Sequence, residues 1–288
     1  MTTKFNFTAN KLDRRRKYYL VLDCETATLP FAKDLETEEE RKNLAIAKPL
    51  IYDLGWLIVD ANGKIYERQN FLISEIFSVP AIFNTAYYAH KRPIYIEKMK
   101  NGEINLVTWE TASKALENAM KKCVAVGAYN SMFDFKKALP FTELYISKVY
   151  SPDFDKWISF QKEIYLKMDK SGKPTRNFEN DLFRYRNVEY PLFDLWGLSC
   201  EHILNCEEYK QACNENGWIT ASGKYYKTSA ETAFRFISEN FDFEESHTAI
   251  DDAEIESQLF AKIMKKRSNF TLGIIYFPFR ILGYADMV

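Results

Sequence analysis

The order of apolar, helical and turn-forming segments predicts an α/β protein built of layers. Three apolar segments with the length and residue types of strands come first in the chain. Helical segments and further apolar strands then follow, and no internal repeat or low-complexity tract interrupts them. This order favours helices layered on a sheet over a helical bundle or a β-sandwich.

The first predicted elements are a strand and a hairpin. The apolar run from Tyr18 to Asp23 predicts the first strand, after a basic cluster. Two more strands, over 51–60 and 65–74, are joined by Asn62-Gly63, a dipeptide that strongly favours a hairpin turn. The charged segment 29–49 predicts a solvated helix inserted after the first strand.

Helical spacing recurs through the rest of the chain. A helix is predicted from Trp109, with Thr108 as its N-cap. The apolar run "CVAVGAYN" predicts a strand that leads into a helix near Ser131, and Pro140 kinks or ends that helix. A polar insertion is expected at about 147–190. The apolar segment "YPLFDLWGL" comes next, followed by three helices, over "EEYKQACNEN", "AETAFRFISEN" and "DDAEIESQLFAKIMKK".

Composition limits the classes of function. The 288 residues can bury one large core or two modest ones, and the net charge of −1 argues against a general nucleic-acid coat. A polyanion would have to bind through a local patch or through metal ions. The five cysteines form no CxxC pair and no secretory segment is evident, so a reducing, cytoplasmic location is expected. The apolar tail is too short for a membrane anchor and predicts packing or a homo-oligomer contact.

Two acids stand close together in the first strand. Side chains two residues apart share a face of a strand, so Asp23 and Glu25 should point into one small volume. Carboxylates crowded in this way stay ionised together only when a cation lies between them. The pair therefore suggests a metal site, although the polar end of a strand would give the same pattern.

Further acids and one histidine lie at the ends of other predicted elements. Asp134 is on the first turn of a helix that follows a strand, and Asp252, five residues after His247, is on the opening turn of another helix. Carboxylate oxygens are the ligands that Mg²⁺ prefers. Two such ions a few ångströms apart stabilise the attacking and leaving oxygens of a phosphodiester that is cut in line.

These residues resemble the three motifs of the DEDDh branch of the DnaQ-like 3′–5′ exonucleases. Asp23-x-Glu25-Thr26 resembles the first motif, Asn130-x-x-Phe133-Asp134 the second, and His247-x-Ala249-x-x-Asp252-Ala253 the third. The spacing of His247 and Asp252 is that of the His branch of the family. Tyr129 departs from the pattern, because the family often has His at that position.

The resemblance implies an α/β fold of the RNase H-like type (DnaQ-like exonuclease), with a mixed sheet flanked by helices, and it implies a defined set of catalytic residues. Asp23, Glu25, Asp134 and Asp252 would hold two Mg²⁺ ions, for which Mn²⁺ can substitute, and His247 would act as general base. A pKa near 6.5 suits an imidazole to that role. The adjacent Asp251 is not selected, because successive helical residues point about 100° apart.

The implied substrates are the 3′ ends of single-stranded DNA or RNA. Nucleoside 5′-monophosphates would be released from them. Thr26, Asn130 and Phe133 are the candidate substrate-binding residues, although a turn-capping role for Thr26 and a core position for Phe133 are open alternatives. The basic groups Arg14 to Lys17 and Lys136-Lys137 are either phosphate contacts or solvated charges.

Several alternatives stay open at this point. The chain could be an oligoribonuclease-like RNA exonuclease, or a protein of the same fold that binds nucleic acid or a polymerase without cutting. Proofreading would require a polymerase or replication partner. Separately, His202, Cys206 and Cys213 would share a face of one helix and could bind zinc, although their spacing matches no familiar zinc pattern.

The domain organisation follows from the same motifs. Residues 1–17 form a basic N-terminal segment. Residues 18–267 form the exonuclease domain, with insertions at about 29–49 and 147–190. Residues 268–288 form the apolar C-terminal tail.

Overall fold

A computed structural model describes residues 12–13, 15–28, 49–147, 181–267 and 269–285, and the backbone alone of 175–177. The strands are β1 Tyr19–Thr28, β2 Pro49–Val59, β3 Ile65–Ile73, β4 Asn105–Val107, β5 Ala125–Ala128, β6 Thr175–Asn177, β7 Leu182–Tyr185, β8 Val188–Asp194 and β9 Ile274–Tyr276. The α-helices are α1 Ser74–Phe77, α2 Pro80–Phe83, α3 Arg92–Lys100, α4 Trp109–Met120, α5 Ser131–Phe133, α6 Leu139–Ser147, α7 Leu195–Ser199, α8 Glu207–Asn216, α9 Ala230–Ser238 and α10 Ala249–Lys266. Shorter 3₁₀ turns cover Ala89–Lys91 and Pro278–Leu282, and π-helical turns cover Asp134–Ala138 and Cys200–Leu204.

Seven strands form one mixed sheet in the order β4-β3-β2-β1-β5-β8-β7. Strand β2 runs antiparallel to both β1 and β3, whereas β1, β5 and β8 are parallel to one another. The predicted α/β fold, a mixed sheet flanked by helices, is confirmed. Because β1 pairs with β2 on one side and with the parallel β5 on the other, the carboxyl ends of β1 and β5 lie side by side, and α/β proteins commonly bind ligands at the carboxyl ends of such strands.

The predicted first strand and hairpin are present, and the strand is longer than expected. Strand β1 continues to Thr28 because β2 pairs with it along its whole length. The two acids near its end therefore lie within the sheet and not in a following loop. At the hairpin, Gly63 has φ +78° and the Asp60 carboxylate accepts the backbone N–H groups of Asn62 and Lys64.

The helical predictions agree with the structure except at one break. Thr108 caps α4 by accepting the N–H of Thr111, as expected. Pro140 is the second residue of α6, directly after a π-helical turn, which accommodates the missing backbone donor. The helix expected through Cys206 and Cys213 is broken, because a π-helical turn ends at Leu204 and α8 begins at Glu207. The helix expected at 29–49 lies outside the described residues except for Pro49, which begins β2.

Two hydrophobic cores cover the two faces of the sheet. Leu20 and Leu22 of β1 belong to the core that includes α4 and α6, while Tyr19 and Val21 belong to the core under α7 to α10. This alternation is the side-chain period of a strand. It places the odd-numbered side chains of β1 on the face that α10 covers.

The start of α10 packs directly on strand β2. A Cβ atom at Gly55 would lie 2.5 Å from the backbone nitrogen of Ile250, so only glycine permits this approach. The buried Asp53 accepts the N–H of Ala249 at 3.0 Å and so caps the helix from the neighbouring strand. Gly55 pairs with Asp23 in the sheet, which fixes α10 beside the acids of β1.

The C-terminal segment joins the core. Strand β9 pairs with β6 in a separate two-stranded sheet, and Ile274, Leu282 and Ala285 are buried. Within the described ranges, no helix is both long enough and apolar enough to cross a membrane.

Gly55→Ala should lower the free energy of unfolding by about 1–3 kcal/mol, because the added methyl group forces the backbone of α10 away from β2. Urea unfolding measures this change. Gly102→Asn is the control, since Gly102 has open space around it and asparagine tolerates its φ of +69°. Equal stability of Gly55→Ala and the wild type would contradict the close packing.

Candidate active site

Strand β1 carries two acids just beyond the part of the strand that pairs with β5. Asp23 and Glu25 follow Val21 on the face covered by α10, and each side chain keeps part of its surface exposed. A β-bulge follows at once, because Glu25 pairs with Asp53 while Thr26 pairs with Ile51. Bulges of this kind redirect a strand beside functional sites.

The π-helical turn after β5 supplies the third acid. Asp134 opens this turn and is 3% exposed. The thiol of Cys24 donates a hydrogen bond to Asp134 Oδ1 at 2.9 Å and so connects this turn to β1. Single π-helical turns within helices occur frequently at functional sites.

Helix α10 and the residues before it supply the fourth acid and the histidine. Asp252 lies in the first turn of α10 and is 7% exposed, and His247 is half-buried just before the helix. One potential ligand atom from each of Glu25, His247 and Asp252 lies within 4.8 Å of the other two. The structure therefore brings residues of the first and third motifs together.

The acids repel one another strongly. Burial raises the pKa of Asp23 well above its usual range, and the charges of Asp134 and Asp252 raise it further. Burial also raises the pKa values of Glu25 and Asp252, with added repulsion from Asp23 on the former and from Glu245 on the latter. Asp134 and Asp252 thus both act on the charge of Asp23.

Asp134 experiences the same burial but has a compensating partner. Burial raises its pKa to about 7, and the hydrogen bond from Cys24 opposes that rise. The neighbouring Glu256 of α10 is 2% exposed, and its pKa is raised by burial and then by Asp23 and Asp134. The carboxylate of Glu256 accepts a hydrogen bond from the backbone N–H of Tyr129 at 3.1 Å.

His247 is surrounded by groups that affect both its proton and its orientation. Burial lowers its pKa below 6.5, and the positive charge of Lys91 lowers it further, so the imidazole is neutral near pH 7. Glu245 Oε2 lies 3.8 Å from His247 Nδ1. The ring of Tyr88 stacks on the imidazole, with a centroid distance of 4.2 Å and an interplanar angle of 13°.

The donor set fits a hard divalent cation. Asp252 Oδ1 is fully buried and has no hydrogen-bond partner among the described residues. A buried carboxylate oxygen without a partner is costly unless a cation neutralises it. Carboxylates with one imidazole nearby suit Mg²⁺ or Mn²⁺ better than a soft metal.

The three candidate substrate-binding residues border the acids. Thr26 follows the bulge and is half-buried, and Asn130 is exposed where it caps α5 by accepting the N–H of Phe133 at 3.4 Å. Phe133 is half-buried and packs against one of the two cores. Tyr129 donates its hydroxyl to Thr228 O at 2.8 Å.

The basic groups and the zinc candidates lie apart from the acids. Arg16 contacts Tyr66 and Asp60 at the opposite end of β1, and Arg14 lies outside the described residues. Lys136 donates to the carbonyl of Leu182. Of the residues described, the one group with metal-ligand spacing is the group that contains His247, so the zinc alternative is not supported.

The two adjacent acids of α10 face different surroundings. Asp251 pairs with Lys98 at 2.9 Å and with Arg68 at 3.5 Å, and more than a third of its side chain is exposed. Asp252 instead points into the group with Glu25 and His247. The helical geometry thus separates them in the way the sequence predicts.

Several residues of the site were not found by sequence reasoning. Glu256 is one helical turn after Asp252 and Asp53 is the only acid in an apolar run, so both carried a signal that could have been used. Glu245 lies two residues before His247. Tyr88 carried no such signal, because only the folded chain brings its ring to the histidine.

Comparisons with known proteins give low similarities. No family model and no curated protein sequence matches the chain. A solved structure of a 3′-exonuclease in 3′-end specific recognition of a histone mRNA stem-loop is 10% identical, with a TM-score of 0.44 over 92% of this chain and 91% of that chain. The nuclease domain of 3′hExo, a DEDDh family member, bound to rAMP, is 9% identical, with a TM-score of 0.42 over 92% of this chain and 100% of that chain. Cell-death related nuclease 4 is 10% identical, with a TM-score of 0.40 over 88% of this chain and 65% of that chain.

The second of these structures is of the DEDDh family, whose three motifs the sequence of this chain resembles.

The metal-free protein should lose stability as the pH rises toward 8. Asp134 has a folded pKa of about 7 and an unfolded pKa of about 3.9, so between these values the folded state retains a proton that the unfolded state has lost. Stability therefore falls as pH rises through this window, and a cation that pairs with the carboxylates should restore it. Thermal unfolding in EDTA and in Mg²⁺, at about pH 5.5 and about pH 8, measures both effects.

Asp134→Asn is the control for this experiment, because it removes one titrating charge and should reduce both the pH dependence and the response to Mg²⁺. A wild-type melting temperature that is insensitive to Mg²⁺ at the higher pH would contradict the metal site.

Proposed function

We propose that this chain is a metal-dependent 3′–5′ exonuclease that releases nucleoside 5′-monophosphates from single-stranded nucleic acid. The main support is the grouping of Glu25, His247 and Asp252 within 4.8 Å, beside Asp23 and Asp134, at the carboxyl ends of β1 and β5. All five positions that the motifs require are filled. This argues against a non-cutting protein of the same fold, which would be expected to lack a ligand or the histidine.

Four carboxylates would hold the cations, namely those of Asp23, Glu25, Asp134 and Asp252. When bound, two Mg²⁺ or Mn²⁺ ions supply charge neutralisation and Lewis acidity for phosphodiester hydrolysis. Strand β1 fixes two of the carboxylates, the π-helical turn after α5 fixes that of Asp134, and the first turn of α10 fixes that of Asp252.

His247 would remove the proton from the attacking water. Its lowered pKa keeps the imidazole neutral near pH 7, as a general base requires. Glu245 Oε2 lies 3.8 Å from Nδ1, so a proton on Nδ1 would face a carboxylate oxygen and would leave Nε2 to accept the proton of the water.

Thr26, Asn130 and Phe133 would contact the terminal nucleotide. Thr26 lies one position beyond Glu25, and the exposed Asn130 stands at the start of the turn that carries Asp134. The five unpaired cysteines are consistent with action in the cytoplasm, which we propose as the compartment.

The direct test is incubation of 5′-labelled single-stranded DNA and RNA with the protein in Mg²⁺ or EDTA. Shortening from the 3′ end that stops in EDTA and in Asp23→Ala supports the proposal and shows which sugar is preferred. Binding without shortening of either strand would refute it in favour of the non-cutting alternative.

Asp252→Asn should lower kcat by about a hundredfold or more, because it removes a proposed metal ligand. Asp251→Asn is the matched variant, with the same chemical change one residue away, and should lose less than about tenfold because Asp251 faces Lys98 and Arg68. Steady-state kinetics on one labelled oligonucleotide measures both. Equal losses in the two variants would contradict the assignment of Asp252.

His247→Ala should lower kcat far more than it weakens substrate binding, because the imidazole is assigned a proton and not a substrate contact. Single-turnover rates and the binding of a labelled oligonucleotide in Ca²⁺ separate the two effects. A variant that loses affinity while its single-turnover rate at saturation is preserved would assign His247 to substrate binding instead.

A further inference from the structure

The backbone at His247 has a conformation that needs outside support. Its φ is +51°, in the left-handed region that residues with a side chain seldom occupy. It lies outside regular structure, just before α10. Such a conformation persists only when the surrounding structure holds it in place.

One segment, Tyr88–Lys98, supplies that support. It comprises Tyr88, the 3₁₀ turn and most of α3, and it donates a hydrogen bond to each of three consecutive residues before or at the start of α10. Lys91 Nζ donates to the carbonyl of Ser246 at 2.6 Å, Tyr95 Oη to the carbonyl of His247 at 3.4 Å, and Lys98 Nζ to Thr248 Oγ1 at 3.2 Å. Two of these bonds hold main-chain carbonyls, those of Ser246 and of His247 itself, and the third holds the side chain of the residue that follows.

The same segment also contacts the side chain of His247. The rings of Tyr88 and His247 are nearly parallel, with their centroids 4.2 Å apart. Tyr88 is only half-buried, so its ring does not fill a core cavity. A flat contact of this kind restricts the tilt of the imidazole relative to the acids beside it.

We infer that Tyr88 is a positioning residue, which holds the imidazole of His247 at the angle needed to accept a proton from the attacking water. This inference rests on the proposed function, because it assumes that His247 is the general base. The phenol ring performs the task and its hydroxyl group does not. Tyr88 touches the histidine, and no contact with the substrate is assigned to it.

Three variants test the inference. Tyr88→Phe keeps the aromatic ring and should retain kcat within about twofold, whereas Tyr88→Leu removes it and should lower kcat by about ten- to a hundredfold, with KM changed by less than about twofold. Tyr284→Leu makes the same change at a tyrosine that is 72% exposed and stacks on Tyr225 instead of a histidine, and it should leave both constants unchanged.

A spectroscopic measurement follows the stacking itself. The chain has only three histidines, so the imidazole Cε1–H signals can be assigned by NMR in the Mg²⁺-loaded protein, with His247→Gln identifying one of them. The His247 signal should show a ring-current shift in the wild type and in Tyr88→Phe, and should lose it in Tyr88→Leu. The melting temperature of each variant checks that it is folded.

Each alternative outcome is decisive. Loss of the ring-current shift in Tyr88→Leu with an unchanged kcat would overturn the positioning role while leaving the exonuclease proposal intact. An equal loss of kcat in Tyr88→Phe, or a rise in KM in place of a fall in kcat, would also overturn it. A wild-type protein that shortens neither DNA nor RNA would refute the proposed function, and the positioning role of Tyr88 would fall with it.

Discussion

Repulsion between the carboxylates near the carboxyl ends of β1 and β5 is the constraint on which the rest of the structure depends. Burial and the charges of Asp134 and Asp252 raise the pKa of Asp23, and the same three acids raise that of Glu256. Concentrating negative charge in this way opposes folding. The two hydrophobic cores on the faces of the sheet provide the stabilisation against which it is maintained. A site that is unfavourable when its carboxylates are ionised is also one that gains most from a divalent cation.

The backbone keeps the acids close in spite of this repulsion. Glycine at position 55 lets the first turn of α10 touch β2, and Asp53 caps that turn from the same strand. Asp53 is itself buried, with a pKa raised to about 6, and the hydrogen bonds from Ala249 and Asn70 partly offset the effect of its burial. The helix that carries Asp252 is therefore fixed to the strand next to β1 by contacts that do not involve the four proposed metal ligands.

Local patterns predicted the elements that carry the site, and tertiary contacts determined the rest. The Asn62-Gly63 turn, the Thr108 cap and the opening of α10 follow from neighbouring residues, and all are present. The β-bulge after Glu25, the π-helical turn at Asp134 and the break before Glu207 were not predicted, because each depends on how the finished sheet and helices meet. Single-sequence patterns carry little information about such irregularities.

The histidine differs from the acids in how it is held, and this explains why a motif describes the site incompletely. Strand β1 and the starts of two helices hold the carboxylates, whereas His247 lies outside regular structure with a left-handed backbone. Its orientation and its protonation both depend on the segment Tyr88–Lys98, since Tyr88 contacts the ring and the charge of Lys91 lowers the pKa. That segment contains none of the three motifs. A search for the motifs therefore passes over residues that affect the orientation and the protonation of the proposed general base.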